Sequence, residues 1–381
     1  MEESPTRAAE TLTRKWALFW GWATAGLFIL FLVRAIDSSR DDFLAYYGAG
    51  MRALHGASPY IVEETPYRYL PLTSFFFVPF TLFSVSVARI LFFILNFAGV
   101  VAIYSAIRRR VGDRATLLLL ILFFRFHNHD FGNSQINPVL LILFFYWWKE
   151  REKNLAASSL AFSIFGSFKI LPFMIGLPLL LRGRWREISW IGLWTVVLNF
   201  LPIFFYTRGP LVFADWYAQA KNIHDPVMLS NVQSIQAALW WMLDGKMPME
   251  AFQIGMRIIQ AALLLTVLAL APRRNREAWM IASTLAISAF IAPLAWKHNY
   301  LQLLPLAYLW FSEDPGFTEK RTRILYGLSF VGMVALPAAI GKWNTGFADR
   351  LYLMPYTAVI VVLLGVILAR EAESRAKPAR L

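Results

Sequence analysis

Two adjacent carboxylates begin the part of the sequence with the clearest capacity for chemistry. Asp41 and Asp42 come just after a long apolar run, and aromatic residues including Tyr46 and Tyr47 follow them at helical spacing. The segment then ends in a glycine-proline turn, "HGASPY", at residues 55–60. A helix of this kind places a carboxylate beside an aromatic wall, which is how proteins commonly hold sugars. The alternative is an ordinary solvated helix end at a membrane boundary.

A second concentration of polar residues lies between the apolar runs that follow. "YRYLPL" places Arg68 between two tyrosines, and residues 124–138 read "FRFHNHDFGNSQINP", which predicts one short polar joint between two helices. The polar members of that joint are Arg125, His127, His129, Asp130, Asn133, Gln135 and Asn137. The amides suit hydroxyl or backbone partners, and the simplest such role is to cap the two helix ends.

The histidines of this joint also raise the question of a metal site. His127, His129 and Asp130 are metal-ligand types at close spacing. No further clustered histidine or acid supplies a second shell, and an interfacial histidine is commonly a solvated hydrogen-bonding group. We therefore expect no metal and no other cofactor.

Lysines within apolar sequence are the most informative single residues. Lys169 sits in "FGSFKILPF", where a lysine costs roughly 2.5 to 3.5 kcal/mol unless water or an anion meets it, or unless it snorkels to the interface. "PLAWKHNY" repeats the pattern with Lys297 and His298 next to the aromatic Trp296. Arg89 adds a further cation. Several cations with few acids favour an anionic ligand, with phosphate the leading candidate.

The composition identifies the setting of these residues as a membrane. Of the 381 residues 58% are hydrophobic and only 16% are charged, and the mean hydropathy is +0.50. The net charge of +13 falls in short clusters between apolar runs, which indicates membrane orientation and not nucleic acid. There is no cysteine, so disulfides and thiolate chemistry are excluded.

The apolar runs predict an all-α polytopic membrane protein with about twelve crossings. We expect crossings at 16–36 (a retained first helix), 86–107, 115–127, 136–148, 154–168, 171–181, 187–206, 251–271, 277–296, 299–311, 324–340 and 352–369. Prolines interrupt 69–83, which we interpret as a half-inserted helix. Several runs are too short to span and meet at polar residues, which predicts a water-filled cavity open to one side.

The distribution of basic residues gives the orientation. The segments assigned inside hold 23 of the 37 lysines and arginines and the outer loops hold 10, so both termini are expected in the cytoplasm. The polar joints then all face outward. We predict a single domain over 1–381, with a first outer loop at 37–68 and a large outer loop at 207–250 that carries a short helix around Trp216.

The polar motifs, taken in order, resemble a known family. "DFLAYYGAGMRALHGASPY", "YRYLPL", "GNSQINP", "FKILP", "RGRWR" and "APLAWKHNY" together resemble the polyprenyl-phosphate-mannose-dependent mannosyltransferases of glycosyltransferase family 87, which have the GT-C fold. The "ASPY…YRYLPL" spacing is also similar to the first mannosyltransferase of eukaryotic GPI-anchor synthesis. That enzyme carries Asp-x-Asp where this sequence has Arg40, Asp41 and Asp42.

The resemblance implies an inverting transfer of a hexose, mannose above all, from a polyprenyl-phosphate-sugar donor to a glycan or glycolipid acceptor. It places the site at the periplasmic face of the cell inner membrane. The further partner is the lipid bilayer, and no nucleic acid is expected to bind. The catalytic base falls on Asp42, fourteen residues before Gly56, with Asp41 as the fallback.

Roles for the remaining residues follow from that reaction, which needs a base for the acceptor hydroxyl and cations for the leaving phosphate. For the phosphate we expect Lys169 first, then Arg68, Arg125 and Lys297. For sugar or acceptor we expect Tyr46, Tyr47, Tyr60, His127, His129, Asp130, Asn133, Gln135, Trp296 and His298, with Trp216 a further stacking candidate. For the aromatic residues the alternative is an interfacial belt.

Two other classes of protein use a similar cavity. A lipid-linked sugar flippase or transporter would open to both faces of the membrane and carry matching repeats, whereas the polar joints here are expected on one face only. A glycan polymerase or ligase shares an outer site but uses a different leaving group. Product analysis separates these possibilities.

Overall fold

The structure is a computed structural model, and it describes most of the chain. The described residues are 5–36, 42–60, 67–221, 234–243, 246–292, 295–312, 328 and 353–375. Within these ranges the chain forms helices and no strand, which confirms the all-α class. Asp41 and most of the expected crossing at 324–340 lie outside the described residues.

Fourteen α-helices occupy the described ranges. They are α1 (Pro5–Ile36), α2 (Asp42–Leu54), α3 (Leu72–Phe77), α4 (Val85–Gly132), α5 (Asn137–Glu150), α6 (Leu155–Phe168), α7 (Gly176–Leu181), α8 (Trp185–Phe200), α9 (Val212–Lys221), α10 (Ile235–Leu243), α11 (Met249–Leu270), α12 (Arg276–Ile291), α13 (Leu304–Ser312) and α14 (Leu353–Arg375). Short 3₁₀ helices lie at Val78–Leu82, Leu171–Ile175, Leu201–Phe205, Gly209–Leu211 and Lys297–Leu303.

Four of the described segments are long and apolar enough to cross a membrane. They are Thr13–Ile36, Val85–Gly132, Trp185–Phe205 and Met249–Leu270. Other apolar helices are short, as expected: α6 has 14 residues and is therefore about 21 Å long, less than the hydrocarbon thickness. The twelve crossings stay a prediction.

α4 is a hairpin of two helices and not one rod. Gly112 has φ 81° and ψ 174°, a left-handed conformation that glycine adopts without steric cost. The two halves lie antiparallel, since Phe93 contacts Phe131 and Tyr104 meets His127 across the turn. The sequence predicted a seven-residue loop at 108–114; the structure reverses the chain at a single glycine.

The same helix also corrects the expected joint at 124–138. α4 continues to Gly132, so Arg125, His127 and Asp130 lie on the helix and the joint is only 133–136. No proline interrupts the helix before that point, and Ser134 at φ 50° ends it. The crossing expected to end at residue 127 therefore continues to Gly132, about one and a half helical turns further.

The core divides into two apolar clusters that meet at α12. One cluster joins α1, α4, α11, α12, α13 and α14, and the other joins α2, α3, α5, α6 and α8 with further residues of α4 and α12. Every residue of α12 from Trp279 to Ile291 is buried. By contrast only 6% of the apolar window of α1 is buried, so α1 is peripheral and offers its surface to lipid.

Candidate active site

The helix that carries Asp42 is defined by signals in its own sequence. Asp42 is its first residue, where a carboxylate interacts favourably with the positive end of the helix dipole. At the other end Gly56 has φ 68°, and hydrogen bonds from Gly56 N to Ala53 O and from Ala57 N to Arg52 O close a Schellman turn. The predicted glycine turn is thus confirmed.

α2 is fixed against α3 by close contact. A Cβ on Gly50 would lie 2.9 Å from the backbone carbon of Phe77, so only glycine allows this approach. The ring of Tyr46 stacks on that of Phe77, with centroids 4.7 Å apart. The position of half-buried Asp42 therefore depends on how α2 packs onto α3.

The joint between α4 and α5 brings an amide to Asp42. Gln135 is buried, its Nε2 donates a hydrogen bond to Asp42 Oδ2, and its Oε1 accepts one from the Tyr46 hydroxyl at 3.2 Å. Ser134, in the left-handed region, turns the chain just before Gln135. The carboxylate and the first aromatic residue of α2 thus share one amide.

The segment before α3 adds Arg68 and Tyr69. The hydroxyl groups of Tyr46 and Tyr69 lie 2.9 Å apart, and Tyr60 donates to the carbonyl oxygen of Tyr69 at 2.6 Å. Trp216 Nε1 donates to the carbonyl oxygen of Arg68 at 3.2 Å. Burial lowers the pKa of the Arg68 guanidinium, and the Asp42 carboxylate acts against that shift. Arg68 therefore lies within electrostatic reach of Asp42.

Lys169 enters from the end of α6. The helix stops at Phe168, and Lys169 has the non-helical angles φ −134° and ψ 88°. Its Nζ donates to Asn299 Oδ1 at 3.2 Å and lies 6.0 Å from the ring centre of Tyr69. The carboxylates of Asp130 and Asp42 both stabilise its charge. Asp42 and Lys169, 127 positions apart in sequence, thus belong to one site.

A second carboxylate lies deeper than Asp42. Asp130 is fully buried and its Oδ1 accepts from Asn137 Nδ2 at 2.5 Å. Beside it the ring of His129 stacks on that of His298, with centroids 5.9 Å apart. His298 is also buried, on the 3₁₀ helix that supplies Asn299. Asp130 serves best as an internal counter-ion, and half-buried Asp42 is the carboxylate better placed to meet a substrate.

Together these residues form what we call the polar cluster. Its members are Asp42, Tyr46, Arg68, Tyr69, His129, Asp130, Gln135, Asn137, Lys169, His298 and Asn299. Five separate segments of the chain supply them, mostly at helix ends. A carboxylate, cations and aromatic rings in one place can accept a proton, hold an anion and support a sugar ring.

Other predicted residues lie outside the cluster or at its edge. Tyr47 donates to the carbonyl oxygen of Phe83, and buried His127 meets Tyr104. Asn133 caps α4 by donating to the carbonyl oxygen of His129, as the capping interpretation predicted.

The remaining predicted residues are at the rim or packed elsewhere. Trp296 packs against Ala237 and Ala238 of α10. Arg125 and Lys297 are half-buried, the first one turn before His129 and the second next to His298. α9 confirms the expected short helix around Trp216.

Three members of the cluster were not predicted as site residues. Asn137 was expected only as a polar member of the joint, with no role in the site. Tyr69 was predicted only as a neighbour of Arg68, although it contacts both Tyr46 of α2 and Lys169. Asn299 follows Lys297 and His298 directly, and a polar residue at the third position of such a run is the signal that could have found it.

The described residues contain no group of three or more histidines, cysteines or acids that could hold a metal ion. The fully buried His127 and Asp130 point to different partners, Tyr104 and Asn137. The polar cluster is thus a site of hydrogen-bonding and charged side chains.

Apolar helices of spanning length and a polar cluster at helix ends define an integral membrane protein with a buried polar site. The model of glycosyltransferase family 87 matches residues 67–296, more than half of the chain, and the protein therefore belongs to glycosyltransferase family 87. The matched range contains Arg68, Gln135 and Lys169, while Asp42 precedes it and His298 follows it. No curated protein and no solved structure matches the chain.

Proposed function

We propose that this glycosyltransferase moves a hexose, mannose first among the candidates, from a polyprenyl-phosphate-sugar donor to a hydroxyl of a glycan or glycolipid. The observation that carries the proposal is the presence of Asp42 and Lys169 in one polar cluster. A proton acceptor and a cation in one site are what transfer from a sugar phosphate requires.

The reaction is a single displacement at the anomeric carbon. The acceptor oxygen bonds to that carbon while the bond from carbon to phosphate oxygen breaks, and the electron pair leaves with the polyprenyl phosphate. Asp42 takes the proton of the acceptor hydroxyl, and Lys169 and Arg68 meet the charge that grows on the phosphate. One base suffices, because a phosphate leaves without the protonation that an alcohol needs.

The neighbouring side chains suit the other parts of the substrates. Tyr69 lies between Tyr46 and Lys169, where its ring can support a sugar. His129 and His298 lie next to the cations and can orient donor or acceptor. The lipid tail would lie between apolar helices in the bilayer, with the site on the extracytoplasmic face of the inner membrane and both termini in the cytoplasm.

The test is transfer by the purified protein. Polyprenyl-phosphate mannose, glucose, galactose and arabinose are each supplied with membrane glycolipids as acceptors, and products are read by mass spectrometry. We expect release of polyprenyl phosphate only when acceptor is present. Asp42→Asn should lower the rate by at least about 10²-fold, the usual contribution of a general base.

The control is Asp215→Asn, which removes an acid from α9 that pairs with Arg208 at 3.2 Å outside the cluster. This variant should keep its activity. Full turnover by folded Asp42→Asn would show that Asp42 is not the base. Movement of the lipid-linked sugar across the membrane without bond cleavage would show that the protein is a transporter and would contradict the proposed transfer.

A further inference from the structure

We propose that Gln135 is the positioning residue of the site: its amide donates to the Asp42 carboxylate and holds it in the orientation and the ionised form in which it accepts the proton of the acceptor hydroxyl. The proposal deepens the function proposed above and rests on Asp42 as the base. It gives Gln135 a role different from the sugar contact that the sequence predicted.

The amide of Gln135 has a defined orientation because its two ends meet different partners. Its Nε2 donates to Asp42 Oδ2, and its Oε1 accepts from the Tyr46 hydroxyl at 3.2 Å. A reversed amide would place two acceptors face to face at Asp42. The hydroxyl groups of Tyr46 and Tyr69 lie 2.9 Å apart. The side chains of Tyr69, Tyr46 and Gln135 therefore form a hydrogen-bonded chain that ends at the Asp42 carboxylate and orients it.

The backbone around Gln135 is equally constrained. Gln135 N donates to the carbonyl oxygen of Asp130 at 3.0 Å, and Ser134 holds a left-handed conformation that is uncommon for a residue other than glycine. Gln135 is 3% exposed and its neighbour Ile136 is fully buried. With so little exposure, the side chain is better suited to hold another protein group than to contact a substrate.

The chemical effect of this contact follows from its direction. An N–H that donates to a carboxylate favours the ionised form, which is the form that accepts a proton. The same carboxylate lies within electrostatic reach of the cations Arg68 and Lys169 and of the hydroxyl groups of Tyr46 and Tyr69. Asp130 acts on the same lysine and tyrosines from further inside. The contact with Gln135 is a direct hydrogen bond to Oδ2, so it sets the orientation of the carboxylate as well as favouring its charge.

The experiment compares Gln135→Met with the unaltered protein. Methionine keeps the length and the packing of glutamine but donates no hydrogen bond. We expect kcat to fall by about tenfold or more with little change in the donor KM, and the acidic limb of the pH profile to move up by about one unit. Tyr46→Phe, which frees the amide oxygen but keeps the donor, should show a smaller change in the same direction.

A second measurement does not depend on activity. A hydrophobic carbodiimide modifies protonated carboxyl groups, so its reaction with the peptide that contains Asp42, followed by mass spectrometry over a pH series, reports when that carboxyl ionises. The midpoint should rise by about one unit in Gln135→Met, and Asp42→Asn identifies the signal. Asn199→Leu is the matched control, since it removes a buried amide that bonds Ser167 in α6.

The outcomes separate the two proposals. If Gln135→Met keeps the kcat and the labelling midpoint seen in Asn199→Leu, the positioning role is overturned. If the midpoint rises while the unaltered protein transfers no sugar from any donor, the hydrogen bond to Asp42 is upheld and the proposed function has failed.

Discussion

At the scale of single residues, the site brings acidic and basic side chains together in an apolar environment. An ammonium group within apolar surroundings is costly unless it is paired and hydrogen-bonded. Lys169 donates a hydrogen bond to Asn299, and the carboxylates of Asp130 and Asp42 lie within electrostatic reach of its charge. Because Asp130 is fully buried and Asp42 only half-buried, we expect the two acids to have separate uses. Asp130 would balance charge inside the protein, and Asp42 would meet a substrate.

Lys169 is the residue whose loss should affect the donor most. We expect Lys169→Gln to lower kcat by about 10² to 10³-fold, because a preorganised donor to the developing charge is removed, while glutamine can still bond Asn299. Release of polyprenyl phosphate, measured on protein that elutes as a folded species, checks this.

The matched control for this prediction is Lys153→Gln. Lys153 is exposed in the turn between α5 and α6, so its loss should leave the rate unchanged. Equal rates for Lys169→Gln and Lys153→Gln would contradict a phosphate role for Lys169.

At the scale of elements, helix ends supply the site. Asp42 begins α2, Asn137 begins α5, Lys169 follows α6, and Asp130 lies in the last turn of α4. A helix end carries unpaired backbone groups and turns the chain abruptly, so polar side chains collect there and converge from different directions. The packing of a helix against its neighbour then sets where its terminal side chain lies.

Glycines of α2 offer a direct test of that packing. Gly50→Ala should lower both the melting temperature and kcat, because the new Cβ would lie 2.9 Å from the Phe77 backbone and push α2, with Asp42, away from α3. We expect a destabilisation of about 1 to 3 kcal/mol, the usual cost of overpacking, read by thermal unfolding together with the transfer assay.

Gly48→Ala is the control on the same helix. Its Cβ would meet only the end of the flexible Arg52 side chain at 3.3 Å. That change should be neutral or slightly stabilising, because alanine has the higher helix propensity. A kcat for Gly50→Ala equal to that for Gly48→Ala would show that the contact with α3 does not position Asp42.

At the scale of the whole molecule, two charged regions lie at opposite ends of the same helices. α5 runs from Asn137 in the polar cluster to a second network in which Trp147 Nε1 donates to Glu187 at 2.8 Å and Arg151 pairs with Glu187 and Glu277. The 14 residues of α5 span about 21 Å, less than the roughly 30 Å of a bilayer core. If the second network lies at one interface, the polar cluster lies within the other leaflet.

The absence of cysteine from the sequence makes the orientation simple to measure. Lys153→Cys and Tyr217→Cys each introduce one thiol at an exposed position, beside the second network and on α9 respectively. With a membrane-impermeant maleimide and intact cells, we expect labelling at 217 and protection at 153, because the distribution of basic residues predicts that the basic loops lie in the cytoplasm. Permeabilised cells should label both, and labelling of 153 alone in intact cells would reverse the orientation.

Much of the architecture follows from local sequence. Apolar runs predicted helices at 136–148, 154–168 and 251–271, and the structure has them at Asn137–Glu150, Leu155–Phe168 and Met249–Leu270. Helix length in a membrane is set by the run of apolar residues, and each helix satisfies its own backbone. The family could also be predicted from the sequence, because the resemblance rests on short motifs and on their order along the chain.

Tertiary structure alone decided which polar residues meet. By itself the sequence determined a helical membrane protein with a carboxylate at one helix start and lysines at other helix ends. It could not show that Gln135 holds Asp42, that Tyr69 connects α2 to Lys169, that His127 faces Tyr104, or that the chain reverses at Gly112. Such contacts depend on how helices pack across long separations in sequence, whereas composition and spacing report only on neighbours along the chain.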